Sequence, residues 1–265
     1  MSVYLVHAES QHTLAAFPDR SIHVLFYDGP YGVNYQSNHR RNKLEPIYND
    51  SILKARATLT QTTAMAHKLV AGGSFLIWTN LANPACWFVA GRHVLEHIDN
   101  PPGHFEWESM TRMYHANTIT WIKTHYTNGA DWREQSEHCL HMYRGPKLRW
   151  PNGVHDQGNI IVCPRPAVPD GSNATPKPIR VCAHVLKPLI AYGDIVVDPV
   201  CGGGASLATA KLLGAGLVVG GDCESPEIER AAASLTKHSI EYQIVTLDQL
   251  KELSHAYHAE NRQAV

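Results

Sequence analysis

Short apolar runs alternate with polar stretches marked by glycine and proline along this chain, and two of the runs end abruptly on an aspartate. Val3 to Val6 is a short strand, followed by a helical stretch from about Gln11 to Ala16 and a turn at Pro18-Asp19-Arg20. Val24-Leu-Phe-Tyr27 then runs straight into Asp28, and Gly29, Pro30 and Gly32 stop it. That pattern predicts a buried strand emptying into a tight loop at a sheet edge. The sequence of strand, helix and strand makes a minimal parallel unit, with Glu9 and Asp28 just past two strand ends on the same edge.

The pattern continues with helical spacing from Ser51 to Val70, ended by Gly72-Gly73, and a strand from Ser74 to Trp78. Pro84 to Ile98 reads as a helix capped by Asn83, and Asp99 to Gly103 as a break. From Glu106 to Lys123 the text is β-like, clearest at Thr118 to Lys123, with His138 to Tyr143 as its antiparallel neighbour across a polar stretch holding Asn128-Gly129. Arg144 to Ala174 is irregular and proline-rich. Ile179 to Leu189 is an amphipathic helix, and Gly193 to Ser206 reads as strand and glycine loop, with a further helix to Leu213. Gly216 to Asp222 is the next strand and Ile240 to Leu247 an extra one; the last fifteen residues read as exposed.

Composition bounds what this chain can be. Its 265 residues, 44% hydrophobic and 18% charged, suffice for one substantial α/β domain. A net charge of -1 provides no global field for nucleic acid, so any DNA binding must rest on local patches. No apolar stretch approaches the roughly eighteen residues of a membrane span, and the N-terminus lacks a basic segment followed by an apolar one, so a cytoplasmic location is expected. Six cysteines without a Cys-x-x-Cys pair suit reduced thiols. The seventeen histidines form no ligand-spaced cluster, so no metal is expected, and His138 and His141 are read as packing residues.

The chemistry concentrates in two places. The Asp28 loop holds a carboxylate that can accept hydrogen bonds from an amino group and, three residues on, the flat face of Tyr31. Asp28-Gly-Pro-Tyr31 resembles the Asp-Pro-Pro-Tyr motif of amino-methyltransferases that act on adenine N6 or cytosine N4 in DNA, with Gly29 where proline is usual. The second place is Asp198-Pro-Val-Cys-Gly-Gly-Gly204, where the glycines let the backbone approach a ligand. It is neither Gly-x-Gly-x-x-Gly nor a phosphate loop, and a nucleoside without a pyrophosphate fits it better than NAD. Eighteen residues past Gly204 a strand ends on Asp222, an acid able to accept from both hydroxyls of a ribose. This loop resembles the Asp-Pro-Phe-x-Gly-Ser-Gly loop for S-adenosylmethionine in the same enzymes, departing from it at Val200 and Gly203. Thr175-Pro-Lys-Pro178 resembles their Thr-x-Lys-Pro, and Gly221-Asp222 with Ser225-Pro-Glu their ribose-binding strand end.

The catalytic tetrapeptide precedes the cofactor loop, as in the circularly permuted β group, and the resemblance covers roughly residues 3 to 235. It implies a single Rossmann-like methyltransferase domain, a mostly parallel sheet with helices on both faces and an antiparallel edge. It further implies transfer of a methyl group from S-adenosylmethionine to the N6 amine of an adenine flipped out of double-stranded DNA. Cytosine N4, RNA or single strands, and a weakly catalytic nucleic-acid-binding protein stand as alternatives. Asp28, Gly29, Pro30 and Tyr31 take the catalytic places. Glu9, Asp28, Thr175, Lys177, Asp198, Cys201, Gly202, Gly204 and Asp222 take the cofactor places. Arg40, Arg41 and Lys43, with Arg144, Lys147 and Arg149 beside Trp150, are candidate DNA contacts; the second group suits a solvated linker equally well. The short interval of about 144–174 is the candidate target-recognition region. A homodimer is allowed, and a prokaryotic or phage-infected cell is the expected setting. Because proline restricts φ, Gly29→Pro is expected to raise turnover if the native backbone already has the proline φ.

Overall fold

The computed structural model describes residues 3–31, 51–79, 113–126, 133–153, 155–166 and 176–262. Among the described residues the first five strands are β1 (Val3–His7), β2 (Ile22–Tyr27), β3 (Leu69–Thr79), β4 (Met113–Ile122) and β5 (Ser136–Arg144). Four follow: β6 (Ile160–Val162), β7 (Ile195–Asp198), β8 (Leu217–Asp222) and β9 (Tyr242–Ile244). The helices among the described residues are α1 (Ser10–Ala15), α2 (Ile52–Ala64), α3 (Ile179–Leu186), α4 (Ala205–Leu212), α5 (Ser225–Lys237) and α6 (Leu247–Arg262).

Among the described residues the strands form one sheet in the order β6-β4-β5-β3-β2-β7-β8-β1-β9. Every neighbouring pair is parallel except the two that involve β5, which runs against both β3 and β4. The reversal therefore lies inside the sheet, with β4 and β6 beyond it, rather than at the edge. The central strands carry unbroken apolar runs because both their faces are covered. Val24, Phe26, Val196 and Val218 pack with Val185 of α3, Leu207 of α4 and Leu235 of α5. Leu25, Tyr27, Val197 and Val219 pack with Leu14 of α1, Leu59 of α2 and Leu250 of α6 on the opposite face. The result is a three-layer α/β sandwich of Rossmann-like architecture.

β1 and β2 are parallel, but β8 and β7 lie between them, so the connection through α1 spans two strands. β2 and β7 are neighbours whose chains then depart in opposite directions, through α2 toward β3 on one face and through α4 toward β8 on the other. Adjacent parallel strands that diverge in this way open a crevice at their C-terminal ends, where open α/β sheets bind ligands.

Two segments differ from the expectation. Gly72-Gly73 does not end a helix; α2 stops at Ala64, a 3-10 turn covers Met65–Lys68, and both glycines lie inside β3. Gly72 has φ +74, the β2–β3 register shifts beside it, and a Cβ there would sit 2.7 Å from the Lys147 carbonyl oxygen. The glycine thus makes a bulge against which another chain segment can lie closely. The tail also differs: β9 is only three residues long, and the end of the chain forms α6. Leu250 is fully buried, the Ser254 hydroxyl donates to the Ala16 carbonyl at 2.6 Å, and Tyr257 donates to that of Gly193 at 2.8 Å. The predicted helix at Pro84 to Ile98 lies outside the described residues.

Candidate functional site

The loop after β2 carries Asp28 into a group of buried charges. Lys177, just ahead of α3, places its Nζ 2.7 Å from both Asp28 carboxylate oxygens and 2.9 Å from the Tyr31 hydroxyl. It also reaches Glu137 Oε2 at 2.9 Å, and Lys123 meets the other Glu137 oxygen at 2.6 Å. The Tyr31 hydroxyl lies 2.9 Å from Asp28 Oδ1 and 3.2 Å from Glu137 Oε2; its single proton can be donated to only one of them at a time. The Lys177 ammonium lies over the Trp78 ring at 5.1 Å and the Tyr31 ring at 5.4 Å, within reach of a cation–π attraction.

The reversed strand makes this cluster possible. Because β5 runs against β3, with Thr79 opposite His138, its beginning meets the C-terminal ends of the parallel strands. Glu137 is thereby delivered to the edge that holds Asp28, while β4 delivers Lys123 from its own C-terminal end. The Lys177, Glu137 and Lys123 side chains are under a tenth exposed, and that of Asp28 is 21% exposed. Two carboxylates and two ammoniums so deep must be mutually compensated, since an unpaired charge there would be far costlier.

The ionisation behaviour follows the geometry. Burial raises the Asp28 pKa and the Glu137 charge adds to it, with Lys177 opposing both. Burial works against the Glu137 charge too, but Lys177 and Lys123 outweigh it and hold that carboxyl down at about 2. Burial opposes the Lys177 charge, yet Asp28 and Glu137 keep its pKa above the ordinary lysine value. Tyr31 is pushed well above the usual phenol range by burial and by the same two carboxylates.

The second loop lies next door, after β7. The Asp198 carboxylate is 2% exposed and turned inward, accepting from the Val200 N–H at 3.2 Å and from the Ser206 hydroxyl. Its pKa is pushed up to about 8 by burial, partly offset by those hydrogen bonds. The Cys201 thiol is in the core, and Gly204 has φ +73 with Ala231 of α5 3.0 Å from where a Cβ would be. Those three residues fold the loop and dock α4 against α5. Other positions nearby differ: a Cβ at Gly203 would meet nothing within 4 Å, and Asp222 ends β8 with a carboxylate accepting from the Gly202 and Glu224 N–H groups at 3.0 Å each. Burial raises the Asp222 pKa to about 6, and those two N–H groups work against it. Each Asp222 oxygen retains a further lone pair.

Glu9 takes the N-cap position of α1 directly after β1, and His7 is in register with Asp222. Along the edge the order β2-β7-β8-β1 therefore sets out Asp28, the glycine loop, Asp222 and Glu9 across three strand spacings, roughly 14 Å. The edge offers carboxylates and open space at Gly203. That donor set fits a nucleoside with a cationic tail and would repel a pyrophosphate.

Of the remaining residues named from the sequence, Lys177 pairs with the Asp28 carboxylate and not with the glycine loop. Arg144 and Arg149 are at the opposite edge of the sheet. Arg144 is buried and donates to the Leu69 carbonyl at 2.9 Å, and Arg149 forks onto the Asp194 carboxylate at 2.6 and 2.7 Å, whereas Lys147 is exposed. Both arginine head groups are thus engaged in holding the fold together. Arg40, Arg41, Lys43 and Thr175 lie outside the described residues. Sequence reasoning does not find Glu137 and Lys123, for which the available signal is an ionisable residue at each facing end of two apolar strands. Among the described residues no group of three or more His, Cys, Asp or Glu could hold a metal, and no helix is long and apolar enough to cross a membrane.

No family profile matches the sequence, and no curated protein matches it either. Solved structures do match it in fold. TTHA0409 of Thermus thermophilus, assigned as a DNA modification methylase and solved with S-adenosyl-L-methionine, superposes with a TM-score of 0.62 at 16% identity, covering 91% of this chain and 99% of its own. The M1.HpyAVI–SAM complex gives 0.59 at 14% identity, covering 88% and 98%. The cytosine-N4-specific PvuII DNA methyltransferase gives 0.65 at 10% identity, covering 98% of this chain and 93% of its own. At such identities the likeness is one of fold, and across nearly the whole chain that fold is the one these DNA methyltransferases have.

Proposed function

We propose that this chain is an S-adenosylmethionine-dependent DNA amino-methyltransferase, and that its target is the N6 amine of a flipped-out adenine. The observation that carries the reading is the adjacency of β2 and β7, which sets the Asp28 loop beside the glycine loop at the crevice of the sheet. Two of the three structural relatives described above hold S-adenosylmethionine, and the acidic ligand edge suits a cationic sulfonium. Glu9, the Gly202–Gly203 backbone and Asp222 are the residues to hold it. When bound, that cofactor supplies a methyl group on a positively charged sulfur.

The chain's own part is to make an aromatic amine nucleophilic, since its lone pair is delocalised into the ring. Asp28 Oδ1 already accepts from Lys177 and lies 2.9 Å from the Tyr31 hydroxyl, but Oδ2 accepts from Lys177 alone among the described residues and keeps room for an amine hydrogen. The Gly29 carbonyl is the second acceptor. Two hydrogens drawn out of the ring plane pull the nitrogen toward tetrahedral geometry and return its lone pair. As positive charge grows on the nitrogen, Asp28 stabilises it and, with its raised pKa, can take the departing proton. Tyr31 offers its ring for stacking, the hydroxyl tethered at the far end. Extrusion of the base costs a few kcal/mol.

The test is mass spectrometry of nucleosides from DNA incubated with the protein and isotope-labelled S-adenosylmethionine. Labelled N6-methyladenine is the expected product. Labelled N4-methylcytosine would move the assignment to the specificity of the PvuII enzyme, and no label in either base would overturn the reading.

A further inference from the structure

We propose that Glu137 is a positioning residue for this reaction: by sharing Lys177 with Asp28 and tethering the Tyr31 hydroxyl, it keeps Asp28 available to the target amine and fixes the tilt of the stacking ring. The chemical step named here rests on the function proposed above; the hold of Glu137 on Asp28 does not. An ammonium has three hydrogens, and the Lys177 Nζ spreads them over both Asp28 oxygens, Glu137 Oε2 and the Tyr31 hydroxyl, all at 2.7 to 2.9 Å. Asp28 therefore never has the cation to itself. Were Glu137 uncharged, Asp28 would be the one carboxylate left on Lys177 among the described residues, and a carboxylate that has a buried cation's charge to itself is a weaker acceptor and a poorer base.

Lys123 completes the arrangement. It is 5% exposed and meets Glu137 Oε1, while Lys177 and the Tyr31 hydroxyl meet Oε2. Around Asp28, among the described residues, the charged and titratable neighbours are Lys177 and Cys182 near α3, Glu137 and Cys139 on β5, Asp198 on β7 and Tyr31 of its own loop, with Lys123 one contact away. Burial pushes both thiols above their ordinary range, so they stay neutral near pH 7. Asp198, pushed up to about 8, is a neighbour that itself titrates near neutrality, and Glu137 does not touch it.

Glu137→Gln removes the charge and keeps the shape. Its expected consequences are a kcat lower by about ten- to a hundredfold, as for a misaligned catalytic group, with S-adenosylmethionine affinity unchanged within about threefold. Removing a like charge lowers the Asp28 pKa, so the acid limb of kcat/KM moves to lower pH. Carbon-13 NMR of the Asp28 carboxylate, assigned by its loss in Asp28→Asn, must show the same downward shift. Glu137→Asp, which keeps the charge, holds the limb at the parent position. An Asp28 titration that is unmoved or moves upward in Glu137→Gln overturns the proposal. If that variant does not fold, Lys123→Met decides by the opposite sign: Glu137 then turns fully to Lys177 and the Asp28 titration must rise, and a fall or no change overturns the proposal. The NMR reading needs no turnover. A parent protein that methylates neither base would therefore remove the proposed function while Glu137's hold on Asp28 is still decided.

Discussion

Placing a side chain at Gly29 would drive it into Tyr27. A Cβ built there lies 2.3 Å from the Tyr27 hydroxyl oxygen and 2.4 Å from Cζ, against the 3.4 Å or more of an ordinary contact. The ring must retreat by about 1 Å, yet Tyr27 is 2% exposed and packed in the layer shared with Leu25, Ile77 and Val197. Overpacking of that kind costs about 1–3 kcal/mol. For a chain of this size, at ~2–4 °C per kcal/mol, Gly29→Ala is expected to lower the melting temperature by roughly 2 to 12 °C. Gly29→Pro adds further ring atoms and is expected to cost at least as much. The backbone at Gly29 is not in the left-handed region, so the conflict is one of space, not of φ.

The expectation that Gly29→Pro speeds turnover is therefore reversed. Displacing the loop by about 1 Å takes Asp28 and the Gly29 carbonyl out of line with the amine, a loss of up to about a hundredfold. Thermal melts followed by circular dichroism, with single-turnover methyl transfer on the same variants, measure both effects. In a Tyr27→Leu background the ring is gone, so Gly29→Ala should cost less there, with a coupling of about 0.5–3 kcal/mol. A Gly29→Pro protein with an unchanged melting temperature and faster turnover, or strictly additive costs in the cycle, would refute the steric account.

Asp28→Ala is expected to abolish methyl transfer while calorimetry finds S-adenosylmethionine affinity within a few-fold of the parent; undiminished turnover would exclude Asp28 as the acceptor. Asp222→Ala is expected to weaken S-adenosylmethionine binding at least about tenfold, the loss of charge-assisted hydrogen bonds to a diol, and unchanged affinity would remove Asp222 from the site. Asp198 has a folded pKa of about 8, far above its unfolded value, so the stability it lends is full below about pH 4 and is lost as pH rises through about 8. Denaturant unfolding across that window should show a steeper fall for the parent than for Asp198→Asn; parallel curves would show that Asp198 is already ionised. Arg149→Ala takes the guanidinium from the buried Asp194 carboxylate, leaving it the Ala191 N–H and His23, and is expected to cost up to about 3 kcal/mol without altering the salt dependence of DNA binding, whereas neutralising Arg40, Arg41 and Lys43 should flatten it; a flattened slope in Arg149→Ala would return that edge to the DNA.

Much of this is legible in the sequence, for a physical reason. A strand buried on both faces must be apolar along its length, so Val24–Tyr27, Ile195–Val197 and Leu217–Val219 stand out, and the aspartates that follow them, Asp28, Asp198 and Asp222, mark the strand ends. Local rules cannot say which strands lie side by side, so β1–α1–β2 reads as one adjacent unit although two strands separate its ends. Nor can they tell a helix-stopping glycine from a bulge glycine at Gly72, since what decides it is the approach of the distant segment near Lys147 and Arg149.

Arginine composition misleads in the same way. Arg144 and Arg149 beside Trp150 have the makeup of a nucleic-acid patch, but a guanidinium serves a buried carboxylate or carbonyl as readily as a phosphate, and here the partners are Asp194 and Leu69. Lys177 reads with the cofactor because Thr175-Pro-Lys-Pro178 resembles the Thr-x-Lys-Pro of the amino-methyltransferases, yet its ammonium reaches across to the Asp28 loop. Glu137 and Lys123 carry no signal beyond their positions at facing strand ends, and only the reversal of β5 turns those ends toward Asp28. A single antiparallel strand in an otherwise parallel sheet thus does what no motif reports: it brings the start of one strand to the edge where the others finish, and with it the second carboxylate that shares Lys177 with the first.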